Sequence, residues 1–410
     1  SGVIYAIIWE LTNNMKTLAR RNIHLQQWLN FISGVTFLVP IVTLFYKFTG
    51  LNIAQIILVS NVSTFFIWLL ELPTSVLADT QGRRKSIVYA AFANLLGALC
   101  ILLFPSLMGF CIAAFLSALY WSFCSGTIQA FLDENLRLLD RADQFGKYIG
   151  HNMFLGNLAA IITPILATLV LKNFESTGFV ILATLDVIFA AILLIISFKL
   201  KEISQSNSPK LNLTASLKHN IDTAKLAIHN VFTNSKIKLL LIYRTLANHV
   251  SFFPLILLPT LSDSGMPDWA SGLVISFATV GLMISNKFAY KLAGKFSYNK
   301  VWVYSTFVQA LVLILAAFYL ESWLVLVGIF AIFNILEGLW EPAWNHVLVG
   351  QTNSKAVATT RSIIFSVFAI YTTFGKQILS IFSVQQALIL SAAVIIITNI
   401  KMSKKIINLK

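Results

Sequence analysis

The chain has 410 residues, of which 57% are hydrophobic and 11% charged, with a mean hydropathy of +0.79. A soluble domain carries about 25% charged residues, so a soluble globular enzyme, a disordered protein and a nucleic-acid-binding domain are excluded. An outer-membrane barrel is disfavoured too, because its strands alternate apolar and polar over about 10 residues and the apolar runs here are twice that length. The net charge is +14, from 30 Lys+Arg against 16 Asp+Glu. The three cysteines (Cys100, Cys111, Cys124) lie in apolar stretches, which suits neither a disulfide framework nor a metal site.

Residues 1–24 are read as an N-terminal extension, since the apolar run Val3 to Trp9 is too short to cross a bilayer. Twelve stretches long enough to span follow: 25–48, 53–78, 86–104, 107–132, 145–172, 177–199, 238–262, 269–293, 299–320, 322–350, 356–381 and 384–401. The expectation is an all-α polytopic membrane protein. Its 12 transmembrane helices form two six-helix bundles, 25–199 and 238–401. A linker at 200–237 joins them, and a tail at 402–410 ends the chain. Within the linker, Leu213, Leu217, Ile221, Leu226 and Ile228 mingle with Lys218, Asp222 and Lys225, which predicts an amphipathic helix along the membrane face.

Basic residues set the orientation. Arg20, Arg21, Arg83, Arg84, Lys85, Arg137, Arg141, Lys147, Lys295, Lys300, the linker and Lys401 to Lys410 fall on one side, and Lys47, Lys172 and Lys376 on the other. Both termini are therefore expected in the cytoplasm. The basic excess is a signal for topology and lipid headgroups, not for nucleic acid.

Between the second and third spans lies Leu77-Ala78-Asp79-Thr80-Gln81-Gly82-Arg83-Arg84-Lys85. This resembles the signature loop of the major facilitator superfamily. Glu71 to Asp79, Ser125 to Asp133 and Gln144 to Lys147 are similar to a bacterial, drug-efflux-like branch of it. The resemblance covers the chain from about residue 20. It implies alternating access between two bundles, with spans one, four, seven and ten around a central cavity, and a bacterial inner-membrane location. It also implies that the loop latches the two halves in one state, through Asp79, Gly82, Arg83 and Arg84, with Asp133 as a second partner for the arginines. Ser75 and Thr80 stand where the family has Gly and Arg. The Gly-rich antiporter run of span five is here Ala160-Ile161-Ile162-Thr163-Pro164.

Ionisable groups at membrane depth are functional candidates by default. Asn334, Glu337, Glu341 and Asn345 recur on one face of span ten, beside Trp340 and Trp344. Span seven carries Arg244, Asn248 and His249. At 1.5 Å per residue, Arg244 lies about 9 Å and Glu341 about 14 Å from the inner helix ends. His249 and Glu337 lie deeper, at about 16 and 20 Å. These depths pair Arg244 with Glu341 and His249 with Glu337. Glu337, Glu341 and His249 are the proton-coupling candidates. Arg244, Asn248, Asn334 and Trp340, with Asn30, Thr36, Tyr120 and Trp121 of the first half, are expected to line the substrate cavity. Asp186 is read as structural.

No phosphate-binding loop is present, because Gly294-Lys295 lacks the upstream Gly and the following Ser or Thr. The reading is a secondary active transporter, expected as a monomer in the lipid bilayer. It needs no cofactor and no metal, and it exports a small amphipathic organic solute such as a drug or siderophore in exchange for protons. Uptake by proton symport is the alternative, and a non-transporting sensor or scaffold is the rival of another class. An enzyme is not expected, since no catalytic cluster appears at an aqueous face.

Overall fold

The computed structural model describes residues 2–202, 233–351 and 357–409. Most of the 200–237 linker, and with it the amphipathic helix expected there, lies outside the described residues. Among those described there is no strand. The helices in chain order are α1 (Gly2–Gly34), α2 (Val42–Phe48), α3 (Ile53–Gln81), α4 (Arg83–Leu103), α5 (Leu107–Cys124), α6 (Thr127–Leu138) and α7 (Phe145–Lys199). After the linker come α8 (Ser235–Ala247), α9 (Phe252–Asp263), α10 (Ser271–Phe296), α11 (Tyr298–Phe318), α12 (Trp323–Gln351), α13 (Val357–Leu379) and α14 (Val384–Ile407).

Ten stretches among the described residues are long and apolar enough to cross a membrane. One of them, Ala142–Lys199, is two spans. The chain turns inside it at Glu175, whose φ of 48° breaks the helix. With α13, 23 residues long, the series reaches six spans before the linker and six after it. Lys376, near the end of the expected span 356–381, belongs to the last turn of α13.

Packing divides the chain into two compact units that do not follow the division at the linker. The first holds Ser1–Val39, Phe66–Thr163 and Ser176–Asn220. The second holds Pro40–Phe65, Pro164–Glu175 and Ile221–Lys410. In the first, α1 and α7 meet at two glycines, where a Cβ on Gly34 would land on the backbone of Gly156. Lipid tails supply no hydrophobic drive between helices, so such close backbone approach is what holds spans together. In the second, Trp302, Trp340, Trp344 and Tyr243 form the aromatic centre of a core closed by Leu240, Val347 and Ile406.

The first span is discontinuous. After Gly34 the backbone leaves the helix for four residues, and a 3-10 turn at Val39–Ile41 leads into α2. The amides of Phe37 and Leu38 are thereby freed within the bilayer, where no water can bond them. Asp186 of span six accepts from both, at 2.6 and 3.0 Å. A carboxylate at the start of a helical segment also meets the positive end of its dipole. This accounts for an acid inside span six. Asp186→Ala removes both acceptors, at about 1.5–3 kcal/mol for each bond to a charged group. We expect Asp186→Ala to lower the melting temperature of the detergent-purified protein strongly, and Asp186→Asn, which keeps one acceptor, to lower it less. Fluorescence-detected size-exclusion after a heat ramp measures both.

Candidate functional site

The breaks recur. Span four divides at Ser125–Gly126, with Gly126 at a φ of 71°, between α5 and α6. Span seven divides at the 3-10 turn Asn248–Ser251 between α8 and α9. Span ten contains Pro342 within α12. Spans interrupted at corresponding positions of two halves are the best pointer to a binding site in transporter-like folds, because the interruption exposes backbone groups and re-aims side chains.

Around the span-seven break, Arg244 is held on several sides. Its Nη1 donates to Asn248 Oδ1 at 3.2 Å, and its Nη2 lies 3.5 Å from Glu341 Oε2. The guanidinium carbon sits 4.0 Å from the Trp340 ring centre and 4.9 Å from that of Phe368. A desolvated cation over an indole gains about 2 kcal/mol, so the aromatic walls contribute as much as the ion pair. The two ends of the pair differ. The Arg244 side chain is 13% exposed and that of Glu341 43%, which leaves Glu341 able to meet water or solute.

Glu337, one turn away, is buried deeper, and among the described residues no cation is in contact with it. Its Oε2 accepts from Gln309 Nε2 of span nine at 2.9 Å. His249 turns elsewhere: its Nδ1 donates to the Leu246 carbonyl at 3.1 Å, and its ring packs edge-on against Tyr371 of span eleven at 5.4 Å. The structure therefore brings Arg244 to Glu341 but does not bring His249 to Glu337. Asn334 donates to the Phe330 carbonyl of its own helix at 2.9 Å. The side chain of Asn345 lies outside the described set. Gln309 is the residue that the spacing argument missed, since nothing along the chain links span nine to the stripe on span ten.

In the first unit, Asn30 donates to the Gln26 carbonyl and Gln26 to the Ile128 carbonyl, tying span one to span four. Thr36 lies in the break of span one, its amide on the Gly34 carbonyl. The Tyr120 hydroxyl meets Ser33 and Cys124, and its ring stands edge-on to Trp121 at 5.3 Å. Trp121 is itself exposed.

The signature loop is tied within the same unit. Gly82, at a φ of 99°, makes the turn, and the amides of Arg83 and Arg84 at the start of α4 donate to the Glu202 carboxylate. Arg84 Nε reaches the Leu200 carbonyl at 2.7 Å. Arg83 pairs with Glu134 at 2.8 Å, while Asp133, expected as the arginines' partner, is bonded to Arg137 on its own helix at 2.7 Å. Adjacent positions on a helix point about 100° apart, so only one of the two acids can face the loop. The side chain of Asp79 lies outside the described set. Glu134 and Glu202 went unnoticed in the sequence because neither belongs to the loop motif.

The second unit contains a further polar set at the ends formed by the 49–52 and 264–267 turns. Lys47 Nζ lies 2.6 Å from Asp263 Oδ1 and 3.0 Å from the Pro259 carbonyl. Asn61 Nδ2 donates to the Thr373 carbonyl and to Gln377 Oε1. Among the described residues no group of three His, Cys, Asp or Glu side chains could hold a metal ion.

Residues 24–397 match the family model described as Major Facilitator Superfamily. No curated protein matches by sequence. Among solved structures, the chain is similar to the nucleoside transporter NupG, with a TM-score of 0.71, 12% identity and coverage of 98% of this chain and 100% of that one. It is similar to a POT family transporter in complex with 5-aminolevulinic acid, with a TM-score of 0.73, 16% identity and coverage of 94% and 96%. It is also similar to a D-xylose-proton symporter, with a TM-score of 0.64, 13% identity and coverage of 94% and 96%. At these identities the likeness is one of fold.

The unequal exposure of Arg244 and Glu341 predicts unequal costs. Arg244→Gln loses the aromatic contacts as well as the pair, about 2–3 kcal/mol. Glu341→Gln leaves the cation in its cage and costs about 1 kcal/mol. Unfolding of both single variants and the double variant in detergent measures the coupling. Additivity within about 0.5 kcal/mol removes the interaction.

Proposed function

The chain belongs to the Major Facilitator Superfamily and is a multi-pass membrane protein with the fold of its transporters, and from that premise we propose that it is a proton-coupled secondary transporter of a small amphipathic organic solute. The observation that carries this reading is the charged, aromatic set on spans seven and ten, where Arg244, Asn248, Glu341 and Trp340 converge beside a helix break. A half-exposed carboxylate against a caged guanidinium suits recognition of a polar group on a solute. The indole beside it suits the solute's apolar part. Asn334, on the same span, and separately Asn30, Thr36, Tyr120 and Trp121 of the first unit are proposed as further solute contacts.

Glu337 is proposed as the proton carrier. It is the deeper acid, and its contact among the described residues is the neutral amide of Gln309, which suits a group that must load and release a proton. Glu341, held by Arg244, serves recognition and gating. His249, packed on Tyr371, joins the proton path only through the Nε2 that its Leu246 contact leaves available. Efflux is the first direction. Uptake by symport is the second, favoured by the fold shared with a D-xylose-proton symporter and by the missing glycines of span five. On either reading the Lys47–Asp263 and Asn61–Gln377 contacts act as the closure on the outer side, and the loop of Asp79, Gly82, Arg83 and Arg84 acts on the inner side.

In liposomes, Glu337→Gln is expected to abolish pH-gradient-driven flux while leaving counterflow exchange of the same solute intact. Undiminished uphill transport by that variant would move the proton site elsewhere. The parent needs a panel of drugs, siderophores, sugars, nucleosides and peptides, assayed with the gradient in each direction. Flux of none of them under either gradient would favour the sensor reading. Asp79→Asn is expected to slow driven flux several-fold in folded, membrane-inserted protein, read in the same vesicles. Unchanged flux takes the loop out of the mechanism.

A further inference from the structure

On the flank of the second unit, α10 and α12 border a groove of about 440 Å³. Gly281, Ile284, Ser285, Phe288 and Leu292 line it from α10, and Ile335 and Leu339 from α12. Ile284, Phe288, Leu292 and Ile335 are exposed apolar side chains. Along α12, Ile335 and Leu339 lie well round the helix from Glu337 and Glu341, each about 200° from the acid two positions on. The groove thus opens on the side of this helix away from its polar stripe, where a membrane protein meets lipid tails.

Two cations close one end. Lys291 and Lys295 line the groove where α10 ends, at Phe296. Among the described residues neither makes an ion pair, and Lys291 Nζ lies 5.5 Å from the Phe288 ring centre. From Gly281 to Lys291 the helix rises about 15 Å, which is the depth of one leaflet in a hydrocarbon core about 30 Å thick. An apolar trough one leaflet long, ending in two unpaired ammonium groups, is complementary to a molecule with an acyl chain and an anionic head. On the topology read from the basic loops, that end lies at the cytoplasmic leaflet, where anionic lipids attract basic residues.

We propose that the groove between α10 and α12 binds an anionic phospholipid, its chain along Ile284, Phe288, Ile335 and Leu339 and its phosphate at Lys291 and Lys295. The site is separate from the transport cavity and stands whether or not the solute reading holds. Basic residues near an anionic surface contribute about 1 kcal/mol each, so losing both weakens binding about 30-fold.

Native mass spectrometry of the delipidated, detergent-purified protein, titrated with phosphatidylglycerol and with phosphatidylcholine, provides the test. Preferential phosphatidylglycerol adducts are expected, weakened at least 10-fold in Lys291→Gln/Lys295→Gln and unchanged in the control Lys401→Gln/Lys404→Gln. Equal loss in the control reduces the effect to general surface charge and overturns the proposal. So does equal binding of phosphatidylcholine, or displacement of the adduct by inorganic phosphate. A second measurement needs no variant. Phosphatidylglycerol carrying a diazirine in its acyl chain should label residues 281–295 and 335–339 of the unaltered protein in liposomes, and labelling that avoids both segments overturns the site.

Discussion

A backbone amide or carbonyl inside hydrocarbon must be bonded within the protein, and most of what distinguishes this chain from a set of plain helices follows from that constraint. Where span one opens after Gly34, the freed amides are taken by Asp186, an acid from another span. Where α5 ends, Thr74 Oγ1 donates to the Ser122 carbonyl, and Ser122 Oγ to the Ile67 carbonyl. Where span seven breaks, Ser251 Oγ returns to the Asn248 carbonyl. Each interruption is matched by a polar side chain that would otherwise be costly in a membrane. The polar inventory therefore has two parts. One repairs breaks, and the other, centred on Arg244, Glu341 and Glu337, is left for chemistry. Separating the two by hydrogen-bond partner is more informative than depth alone.

The same constraint explains what could be read from the chain itself. Hydrophobic runs of about 20 residues have no soluble explanation, so the spans were legible from hydropathy. Spacings of three and four residues put Asn334, Glu337 and Glu341 on one face, and depth brought Arg244 within reach of Glu341, as the 3.5 Å contact shows. Depth carries no azimuth, however. The 3-10 turn at Asn248–Ser251 changes the rotation per residue, and His249 consequently meets Tyr371 in place of Glu337. Asp133 was expected beside the arginines, and Glu134 takes that place for a related reason. Both sit at the same depth, and only the packing of α6 decides which faces Arg83. Gln309, Glu202 and Asp263 were invisible because their partners are 28 to 216 residues away.

The signature loop is more firmly built into its own unit than a loop that only touches an opposite half would be. Two amides of α4 hold Glu202, Arg84 grips two carbonyls that end span six, and Arg83 reaches α6. Just beyond, Asn22 bonds both Asn135 and the backbone of Lys201. The first residues of the linker, Lys201 and Glu202, are thus part of the folded unit.

The Lys47–Asp263 pair has a consequence for how the protein is made. Its two halves are 216 residues apart, so at 5–20 residues per second the ribosome needs about 10–40 s to supply the acid after the amine. Throughout that interval the 40–65 segment lacks the part of its unit that follows the linker, and Asn61 waits longer still for Gln377. The early tips must persist in lipid as loosely held helices. Their final places are fixed after translation of the second half, and a chain truncated at the linker lacks the surfaces they complete.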